Sequence, residues 1–475
     1  MAGALEAARS ALRDEEAWLV GGAVRDSLLG RPTADIDVVT AADTAGSAAA
    51  IARAAGGAVC FALSKEFGSW RVLARDRSWQ IDLEPLRGGS LRDDLSLRDF
   101  TVNAIAQPLG GGEAIDPLEG ARDLRERRLR MAGPGAFAAD PLRILRLVRL
   151  AVELGLEPER QTAQRARAHA ASLADVSPER VFAELRRILC SARARAGIEM
   201  LEALGACAVV LPELPAMRGV EQNRYHHLDV HGHTLEVLDR TVALTGTEQA
   251  ALDPQLAECL GGSAPAVRAL LAEPLADEHT RGEALRWGAL LHDAAKPLTR
   301  QVHQPGARVS FIGHDQRGAE LARSVLGRLR ASERLSSHVA ALVAAHLRLG
   351  FLVHEPQPLA RETVFAYMRA CSPVEVDVTV LSVLDRLSTR GDNAEPAIAA
   401  HLALAGRMLG DALRWRSEGP PRPLLRGDEL ARELAIPAGP ELGELLERLS
   451  CAQYAGEVAD RHQALAYTRK LAQNI

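Results

Sequence analysis

Hydrophobic and polar positions follow two different periods along the chain, and the change falls near residue 137. Upstream, short β-branched runs alternate with glycine turns, which is typical of strands in a small mixed α/β domain. The clearest runs cover residues 17–20, 36–39, 70–73 and 79–83. Downstream, apolar residues recur at helical spacing to the end of the chain. The pattern therefore predicts an α+β protein with a small mixed-sheet head, followed by an all-helical neck, body and tail.

Two clusters of proline and glycine divide the helical part of the chain. One comprises Pro212, Pro215 and Gly219, and the other lies at residues 419–423. Because both residue types interrupt helices, each cluster predicts a domain boundary. We therefore expect four domains: a head at 1–136, a neck at 137–215, a body at 216–415 and a tail at 416–475.

Composition and charge exclude several classes of protein. The chain has 475 residues, of which 47% are hydrophobic and 25% charged, and this excludes a collagen-like or largely disordered chain. Three of the 57 basic residues are lysines, and the formal net charge is −5. A nucleic acid would therefore need local arginine patches, of which residues 122–149 form the densest. A solvated helix face is the alternative explanation for that segment.

Cysteine spacing and hydropathy bear on the location of the protein. The six cysteines are far apart and form no C-x-x-C pair, which argues against a thiolate zinc site and fits a reducing cytosol. No apolar run approaches the roughly 18 residues of a membrane span, and no charged-then-apolar leader opens the chain. We expect a soluble, cytoplasmic protein with no membrane contact.

A pair of aspartates follows a glycine turn in the head. Residues 19–26 have the pattern of a strand, a two-glycine turn and a helix start, where free N–H groups can hold phosphate oxygens. Asp35 and Asp37 lie two residues apart on the next predicted strand, so both carboxylates project from one face. Two carboxylates completed by water and phosphate oxygens suit Mg²⁺. Solvated caps beside a turn are the alternative interpretation of these two aspartates.

Five motifs in order along the chain resemble those of class II tRNA nucleotidyltransferases and bacterial poly(A) polymerases. They are G-G-A-V-R-D-S-L-L-G-R-P-T-A-D-I-D at 21–37, D-L-S-L-R-D-F-T-V-N-A at 94–104, D-P-L-E-G-A-R-D-L at 116–124, D-P-L-R-I-L-R at 140–146 and E-R-V-F-A-E-L at 179–185. The resemblance covers residues 16–190. It implies an enzyme that adds C and A residues from CTP and ATP to the tRNA 3′ end by two-metal, Mg²⁺-dependent nucleotidyl transfer.

The resemblance also implies roles for single residues of the head and neck. Asp35 and Asp37 would be catalytic Mg²⁺ ligands that help an RNA 3′-hydroxyl attack the α-phosphate. Asp82, near the end of a later strand, would be a third catalytic carboxylate or else a plain surface aspartate. Guanidinium groups match phosphate oxygens, so arginines are prominent among the expected contacts. The expected nucleotide-binding residues are Gly21, Gly22, Arg25, Arg98, Asp99, Asn103, Asp140, Arg143, Arg146 and Arg149.

The neck motif offers a way to choose bases without a nucleic-acid template. Asp140 and Arg143 lie three residues apart, which predicts neighbouring positions on one helix face. An acceptor beside a donor fork would match the amino group and ring nitrogen of cytosine and adenine. Guanine and uracil would leave groups unpaired, which discriminates strongly in a dry site. The resemblance assigns base recognition to this motif, and a surface ion pair is the alternative.

Histidines are concentrated in the body, where eleven of the fourteen lie between His226 and His354. The order His233, His292-Asp293, Asp385 resembles the ligand order of the HD phosphohydrolase superfamily, and H-D-A-A-K-P at 292–297 resembles its central motif. Imidazole with carboxylate suits Mn, Fe, Co, Ni or Zn, and such an ion would activate a water for attack on phosphate. A structural role is the alternative for any one histidine. The expected metal ligands and phosphate contact are His233, His292, Asp293, His314, His346, Asp385 and Lys296.

Two further parts of the chain bear on tRNA binding and on the product. In the tail, residues 427–430 and 436–446 resemble the C-terminal helical, tRNA-binding element of the bacterial enzymes. Residues 87–94 nearly close a gap in which CCA-adding members carry a flexible loop that helps the site switch from CTP to ATP. Enzymes that add only CC, only A or poly(A) are therefore alternatives. An HD phosphohydrolase with a non-catalytic RNA-binding head and a purely RNA-binding protein are the others.

Overall fold

A computed structural model describes residues 2–32, 35–246, 252–303, 309–392 and 394–473. The chain folds into two compact units. The first comprises Met1–Ile188 and Ala196–Val210, and the second comprises Leu189–Arg195 and Leu211–Ile475. The finer division into four domains stays a prediction.

The first unit begins with a six-stranded mixed sheet and five helices. The strands are β1 (Ala17–Val20), β2 (Asp35–Thr40), β3 (Val59–Ser64), β4 (Ser69–Leu73), β5 (Gln80–Pro85) and β6 (Ala106–Pro108). The helices are α1 (Ala2–Ala11), α2 (Gly22–Leu28), α3 (Thr44–Ala54), α4 (Leu91–Ser96) and α5 (Gly120–Arg125). The sheet order is β3-β4-β5-β2-β1-β6, in which β2 and β5 are parallel and the other neighbours antiparallel. The predicted α+β class is confirmed.

Alternation along β2 shows why this segment is a strand. Ile36 and Val38 are buried, whereas Asp35 is exposed and Asp37 half-buried. The polar and apolar residues therefore point to opposite faces of the sheet. The four predicted runs correspond to β1, β2, β4 and β5. The sequence pattern missed β3 and β6, because β3 is an edge strand with exposed apolar residues and β6 has three residues.

The neck continues the first unit with short helices. Its elements are β7 (Arg128–Leu129), α6 (Ala136–Ala139), α7 (Arg143–Leu154), β8 (Glu157–Pro158), α8 (Arg160–Ala168), α9 (Pro178–Cys190), α10 (Ala194–Ala203) and α11 (Cys207–Val210), with a 3₁₀ turn at Ala170–Asp175. Helix α7 buries an apolar face that includes Ile144, Leu145 and Val148. It ends at Gly155, whose left-handed φ of 67° is the conformation that favours glycine after a helix.

The second unit is built mainly from helices. They are α12 (Val230–Thr245), α13 (Pro254–Leu260), α14 (Ala264–Leu271), α15 (Arg281–Leu291), α16 (Lys296–Thr299), α17 (His314–Arg328), α18 (Glu333–Ala345), α19 (Arg348–Leu352), α20 (Arg361–Cys371), α21 (Glu375–Leu387), α22 (Ala394–Glu418), α23 (Gly427–Leu434), α24 (Pro440–Ala455) and α25 (Arg461–Ala472). Its strands form two short pairs, β9 (Pro274–Ala276) with β10 (His279–Thr280), and β11 (Gln301–Val302) with β12 (Val309–Ser310). These pairs and the two-residue strand β8 correct the expectation that the chain stays helical beyond residue 137.

Helix α15 lies in the interior of this unit, since every residue from Arg281 to Leu291 except Glu283 is buried. It starts at a capping box, in which the Thr280 side chain accepts from the Glu283 N–H and the Glu283 carboxylate accepts from the Thr280 N–H. A buried arginine there, Arg281, pairs with Asp377 of α21. The cap and the ion pair hold the helix that ends at the central His-Asp pair.

The last three helices have a small core of their own, which includes Leu430, Leu445 and Leu449.

The expectation of no membrane-spanning stretch needs one correction. Glu333–Leu352 is long and apolar enough to cross a membrane by length and composition. The segment comprises α18 and α19, and 56% of its most apolar window is buried, so it also passes as a core segment.

Candidate functional site

Three aspartates lie on the neighbouring parallel strands β2 and β5. Asp37 is directly opposite Asp82 in the register of the two strands, and Asp35 is two residues before it. Residues paired in this way project to the same face of a sheet. Burial raises the pKa of Asp37 to about 6, with Arg98 opposing the shift and the negative charge of Asp82 adding to it. A divalent cation would relieve this crowding of carboxylates, so the donor set fits Mg²⁺.

The glycine turn before α2 is packed directly against this acidic group. Gly21 has a φ of 70°, which L side chains rarely adopt. A Cβ atom built there would lie 2.9 Å from Oδ2 of Asp37 and 3.4 Å from a guanidinium nitrogen of Arg98. The structure therefore brings together the turn, one carboxylate expected to be catalytic and one expected triphosphate contact.

Asp82 has a partner that the sequence analysis missed. Arg71 of β4 donates from Nε and a terminal nitrogen to the two oxygens of Asp82, at 2.7 Å each. The antiparallel register places Arg71 opposite Asp82, so correct pairing of β4 with β5 would have been the signal. Asp82 is thus not a lone surface aspartate, because it forms an ion pair with Arg71. A metal ion bound by Asp82 would have to compete with this arginine.

Four predicted nucleotide-binding residues are connected by two hydrogen bonds and one ion pair. Arg25 donates to the Asn103 amide oxygen at 2.7 Å, and the Asn103 amide nitrogen donates to Asp99 at 2.9 Å. Arg146 lies 2.9 Å from the other oxygen of Asp99. Burial opposes ionisation of Asp99, but Arg146 and the Asn103 amide hold its pKa below the usual value. The structure therefore connects motifs that are more than 100 residues apart in the sequence.

The expected pair of Asp140 and Arg143 on one helix face is wrong. Asp140 lies before α7 in an extended conformation, because its side chain accepts from the Leu142 N–H as the chain turns into the helix. Its other oxygen accepts from Arg180 at 2.7 Å. Arg143 instead donates to the carbonyl oxygens of Leu97, Arg98 and Ala136. The residue that pairs with Asp140, Arg180, belongs to the next motif and was missed.

Arg149 also has partners within the neck. It is buried and bonds to Glu184 at 2.5 Å and Glu153 at 3.1 Å, so its charge is balanced inside the protein. Arg98 bonds to the buried Asp94, which fixes its guanidinium near Gly21. Of these two arginines, Arg98 is thus the one held beside the carboxylates.

A cleft of about 710 Å³ lies within the first unit. Its lining includes Glu84 at the end of β5, Phe67 before β4, and the Asp140–Arg180 pair of the neck. Phe67 is 70% exposed. The cleft is large enough for a nucleoside, and its walls offer an aromatic ring, a carboxylate and a guanidinium.

In the second unit, the six expected ligands converge on Asp293. Two groups have ligand atoms within 4.8 Å of one another, namely His233-His292-Asp293 and Asp293-His314-His346. Measured to the carboxylate of Asp293, the nearest ring nitrogens lie at 3.8 Å for His233, 3.3 Å for His292, 3.3 Å for His314 and 3.9 Å for His346. Oδ1 of Asp385 lies 2.9 Å from Nε2 of His233. The structure thus assembles the whole predicted set from α12, α15, α17, α18 and α21.

Backbone carbonyls orient the four imidazole rings. The Nδ1 atoms lie 2.8 Å from Ala289 O for His292, 2.7 Å from Phe311 O for His314, 2.6 Å from Val343 O for His346 and 3.3 Å from Ser388 O for His233. A carbonyl accepts the Nδ1 proton and leaves Nε2 as the ligand atom, as is usual at metal sites. Nε2 of His292 is buried and has no hydrogen-bond partner among the described residues. This orphaned nitrogen fits a bound metal ion.

The electrostatics of the cluster differ from one imidazole to the next: burial opposes a charge on His292, but Asp293 and Asp385 raise its pKa above the usual value. Burial, and then the positive charges of His292 and His314, lower the pKa of His346 to about 4. Burial opposes ionisation of Asp293, but His292 and Lys296 hold its pKa well below the usual value. Lys296 Nζ lies 2.7 Å from Oδ2 of Asp293 and donates to Gln222 at 2.7 Å, so the expected phosphate contact is engaged with a ligand.

A mixed sheet with grouped carboxylates, followed by helices around a His-Asp cluster, defines the class of HD-containing nucleotidyltransferases. Family models agree in three segments. The poly A polymerase head domain matches residues 17–130, the probable RNA and SrmB-binding site of polymerase A matches 155–217, and the HD domain matches 268–390.

Two curated relatives span almost the whole chain. The A-adding tRNA nucleotidyltransferase of Deinococcus radiodurans is 38% identical over 463 residues, 96% of each chain. The CC-adding tRNA nucleotidyltransferase of Thermus thermophilus is 34% identical over 459 residues, which are 95% of this chain and 93% of the relative. The chain belongs to the tRNA nucleotidyltransferase family and carries an HD domain.

Solved structures show the same fold. The CCA-adding enzyme of Bacillus stearothermophilus in complex with CTP has a TM-score of 0.65 at 21% identity, covering 100% of this chain and 98% of that one. The Thermotoga maritima CCA-adding enzyme complexed with tRNA has a TM-score of 0.59 at 18% identity, with 98% and 93% covered. At these identities the likeness concerns the fold alone.

Proposed function

We propose that this protein adds nucleotides from CTP and ATP to the 3′ end of tRNA, in a cytoplasmic setting. The observation that carries the proposal is the grouping of Asp35, Asp37 and Asp82 on two parallel strands, against the Gly21 turn and Arg98. Binding of RNA or nucleotide alone would not need converging carboxylates, which repel phosphate unless a cation lies between them. This argues against a head that only binds RNA.

Asp35 and Asp37 would hold Mg²⁺ on their shared face, with Asp82 opposite Asp37 on the neighbouring strand. When bound as a pair, the ions would lower the pKa of the attacking 3′-hydroxyl and offset charge on the leaving pyrophosphate. The chain itself supplies orientation. Arg98 is fixed by Asp94 beside Gly21, and Arg25 is fixed by Asn103, so both guanidinium groups are held in place before the triphosphate arrives.

Base choice is assigned to the neck end of the cleft. Asp140 would accept from the exocyclic amino group of cytosine or adenine, and an arginine would donate to the ring nitrogen. Arg180 already bonds to Asp140, whereas Arg143 donates to backbone carbonyls. The arrangement supports Arg180 as the fork next to Asp140, with Arg143 as the residue that holds the Arg98 segment in place.

A narrower product is the second candidate, and the connection between β5 and α4 favours it. Residues 86–90 link Pro85 to Leu91, and Arg87 is tied to Glu84 and Asp94. So short and bonded a connection leaves little room for the flexible loop expected of enzymes that switch from CTP to ATP. The similarity to an A-adding and a CC-adding tRNA nucleotidyltransferase supports the same interpretation. We therefore favour an enzyme that completes part of the CCA end.

One extension assay tests the main proposal and its variants. Purified full-length protein is incubated with tRNAs ending before each of the three CCA positions, with Mg²⁺ and labelled CTP or ATP. Addition only to tRNA ending in CC identifies an A-adding enzyme, and addition only to the two shorter tRNAs identifies a CC-adding one. Extension of all three identifies a CCA-adding enzyme, and long A tracts identify a poly(A) polymerase. No extension of any RNA contradicts the proposal.

For the HD domain we propose metal-dependent hydrolysis of phosphoesters. The cluster supports this because carboxylate and imidazole ligands surround a cavity, and a bound Mn, Ni, Co, Fe or Zn ion would activate a water. Lys296 would stay paired with Asp293 and keep this carboxylate ionised when an anionic substrate binds in the cavity. Metal analysis of the purified protein, followed by hydrolysis of p-nitrophenyl phosphate and its diester, tests the proposal. A variant with His292→Ala is the control that should lose this activity and retain nucleotide addition.

A further inference from the structure

The His-Asp cluster lies in a cavity of about 950 Å³. Four of the expected metal ligands line it, namely Asp293, His314, His346 and Asp385. Two cationic side chains also line it, Lys296 and Arg386. An anionic substrate next to the metal ligands would need a positive partner, so the state of these two cations decides where an anion can bind.

Lys296 is committed to the protein. Its Nζ lies 2.7 Å from Oδ2 of Asp293 and donates to Oε1 of Gln222 at 2.7 Å, and it lies 5.5 Å from the ring centre of Phe311. The ammonium group is thus held by one ion pair and one hydrogen bond within the protein. Removing them to bind an anion would leave the buried Asp293 without its cation.

Arg386 is in the opposite situation. It follows the ligand Asp385 on α21, it is half-buried, and it lines the cavity. Its Nε is buried without a hydrogen-bond partner, and no side chain in the described part of the molecule bonds to its guanidinium. Burial lowers its pKa, partly offset by Asp385. A guanidinium carries five N–H donors, and a donor that is buried without a hydrogen bond, such as Nε here, lowers stability.

The remaining walls show what accompanies the anion. Phe311, Ile312 and Phe351 line the same cavity, and Ile312 and Phe351 are 76% and 66% exposed. Apolar groups of this size at a cavity wall are typical of sites for organic ligands. The volume is also far larger than a phosphate ion requires.

We propose that Arg386 is the anion-binding residue of the HD cavity, and that it takes the phosphate oxygens of an organic phosphoester whose carbon substituent packs against Phe311 and Phe351. The inference rests on the proposed phosphohydrolase function and deepens it by naming the residue and the substrate class. Arg386 follows the expected ligand Asp385, so its guanidinium would bind the phosphate next to the site where the ligands hold a metal ion. Lys296 keeps its structural partners throughout.

Equilibrium binding to the Mn²⁺-loaded, full-length protein provides the test. Inorganic phosphate and phenyl phosphate are titrated calorimetrically into the wild type and into variants with Arg386→Gln, Arg386→Lys and Arg407→Gln. Arg407 is an exposed arginine of α22 that bonds to Gln357, and it serves as the matched control. Mn²⁺ stoichiometry and nucleotide addition by the head report that each variant is folded.

We expect R386Q to lower the affinity for both ligands by roughly 10- to 100-fold, which is the range for loss of a hydrogen bond to a charged group. R386K should recover part of this loss and R407Q should show none. Phenyl phosphate should bind the wild type more tightly than inorganic phosphate, and Phe351→Ala should remove that difference alone. In hydrolysis assays, R386Q should raise KM more than it lowers kcat.

Two results would overturn the inference. One is wild-type phosphate affinity in R386Q, and the other is a Mn²⁺-loaded wild type that binds neither ligand. A wild type that binds phosphate through Arg386 but hydrolyses no phosphoester would instead contradict the phosphohydrolase proposal and leave the anion site standing.

Discussion

The acidic group of the head and the His-Asp cluster of the HD domain both gather carboxylates, but they neutralise them differently. In the head, burial raises the pKa of Asp37 to about 6, and the arginines nearby are tied to Asp82 and Asp94. In the HD domain, Asp293 has Lys296 at 2.7 Å and four imidazoles around it, and its pKa is held low. The head site is thus incomplete without a cation, whereas the HD cluster is ordered in advance.

The difference reflects how each site is built. Strands β2 and β5 bring Asp37 and Asp82 into register, and although Arg71 pairs with Asp82, the pKa of Asp37 stays raised until a cation binds. In the HD domain, every ligand histidine is oriented by a backbone carbonyl at the other ring nitrogen. We therefore expect the head to respond to substrate, metal and pH, and the HD cluster to respond chiefly to loss of a ligand.

Loss of a head carboxylate should have the largest effect. We expect Asp37→Ala to lower nucleotide addition by roughly a thousandfold, since the site loses its central cation ligand. Single-turnover extension of tRNA measures the rate, and Mn²⁺ bound by the HD domain should not change. Asp76→Asn, at an exposed turn aspartate, should retain normal activity. Equal loss of Mn²⁺ and activity would show that the two sites are not separable as described.

The reciprocal variant in the HD domain should have the next largest effect. Asp293→Asn removes the carboxylate that both ligand groups share, so Mn²⁺ affinity should fall by about a hundredfold or more. Calorimetric titration of Mn²⁺ measures this affinity. Nucleotide addition should stay within about twofold of the wild type. Unchanged Mn²⁺ binding would mean that the histidines form a structural cluster only.

The choice of nucleotide base should depend on two neck residues, Asp140 and Arg180. We expect Asp140→Ala to reduce the preference for the correct triphosphate over GTP and UTP by roughly tens of fold, because the acceptor for the exocyclic amino group is lost. Competition assays with pairs of triphosphates measure the preference. Arg180→Gln should reduce it as well, and Arg143→Gln should lower the overall rate instead. The opposite pattern for the two arginines would return the role of donor to Arg143.

The smallest effect is a dependence on pH. Protons compete with Mg²⁺ for Asp37, and with a pKa near 6 about one tenth of this carboxyl is ionised at pH 5, so Mg²⁺-dependent nucleotide binding should weaken about tenfold between pH 7 and 5. Because folding raises this pKa, the carboxyl destabilises the folded state as pH rises through 6, and Mg²⁺ should raise Tm more at pH 7.5 than at 5.5. Calorimetry and thermal melts measure both quantities. Binding that is flat down to pH 5 would contradict the shift.

Much of this architecture was predictable from the sequence. The four predicted strand runs, the helical remainder and the order of motifs follow from hydrophobic periods and local spacing, which act over a few residues. The residues expected to be HD ligands also lie together in the structure, and the sequence pointed to them because its histidines are concentrated there and include a distinctive His-Asp pair. Edge strand β3 was missed, since exposed apolar residues there weaken the alternation that marks a half-buried strand.

Partners of charged side chains depended on tertiary structure. Asp140 and Arg143 have the spacing of a helical pair, yet the helix starts after Asp140, and the aspartate bonds to Arg180, 40 residues away. Likewise, Arg71 reaches Asp82 only through the register of β4 and β5. Sequence spacing cannot rank such competing partners, because each ion pair is decided by backbone direction and desolvation rather than by proximity along the chain.

The sequence by itself determined which residue types occur and where the elements form: carboxylates after a glycine turn, histidines at the ends of helices, and periods that separate sheet from helix. Only the tertiary structure decided which charges are balanced and which are left open. Arg149 and Lys296 are engaged with carboxylates, while no described side chain bonds to the guanidinium of Arg386. The physical reason is that packing removes water from particular atoms. A buried charge is then stabilised only by the charged and polar groups that the fold places next to it.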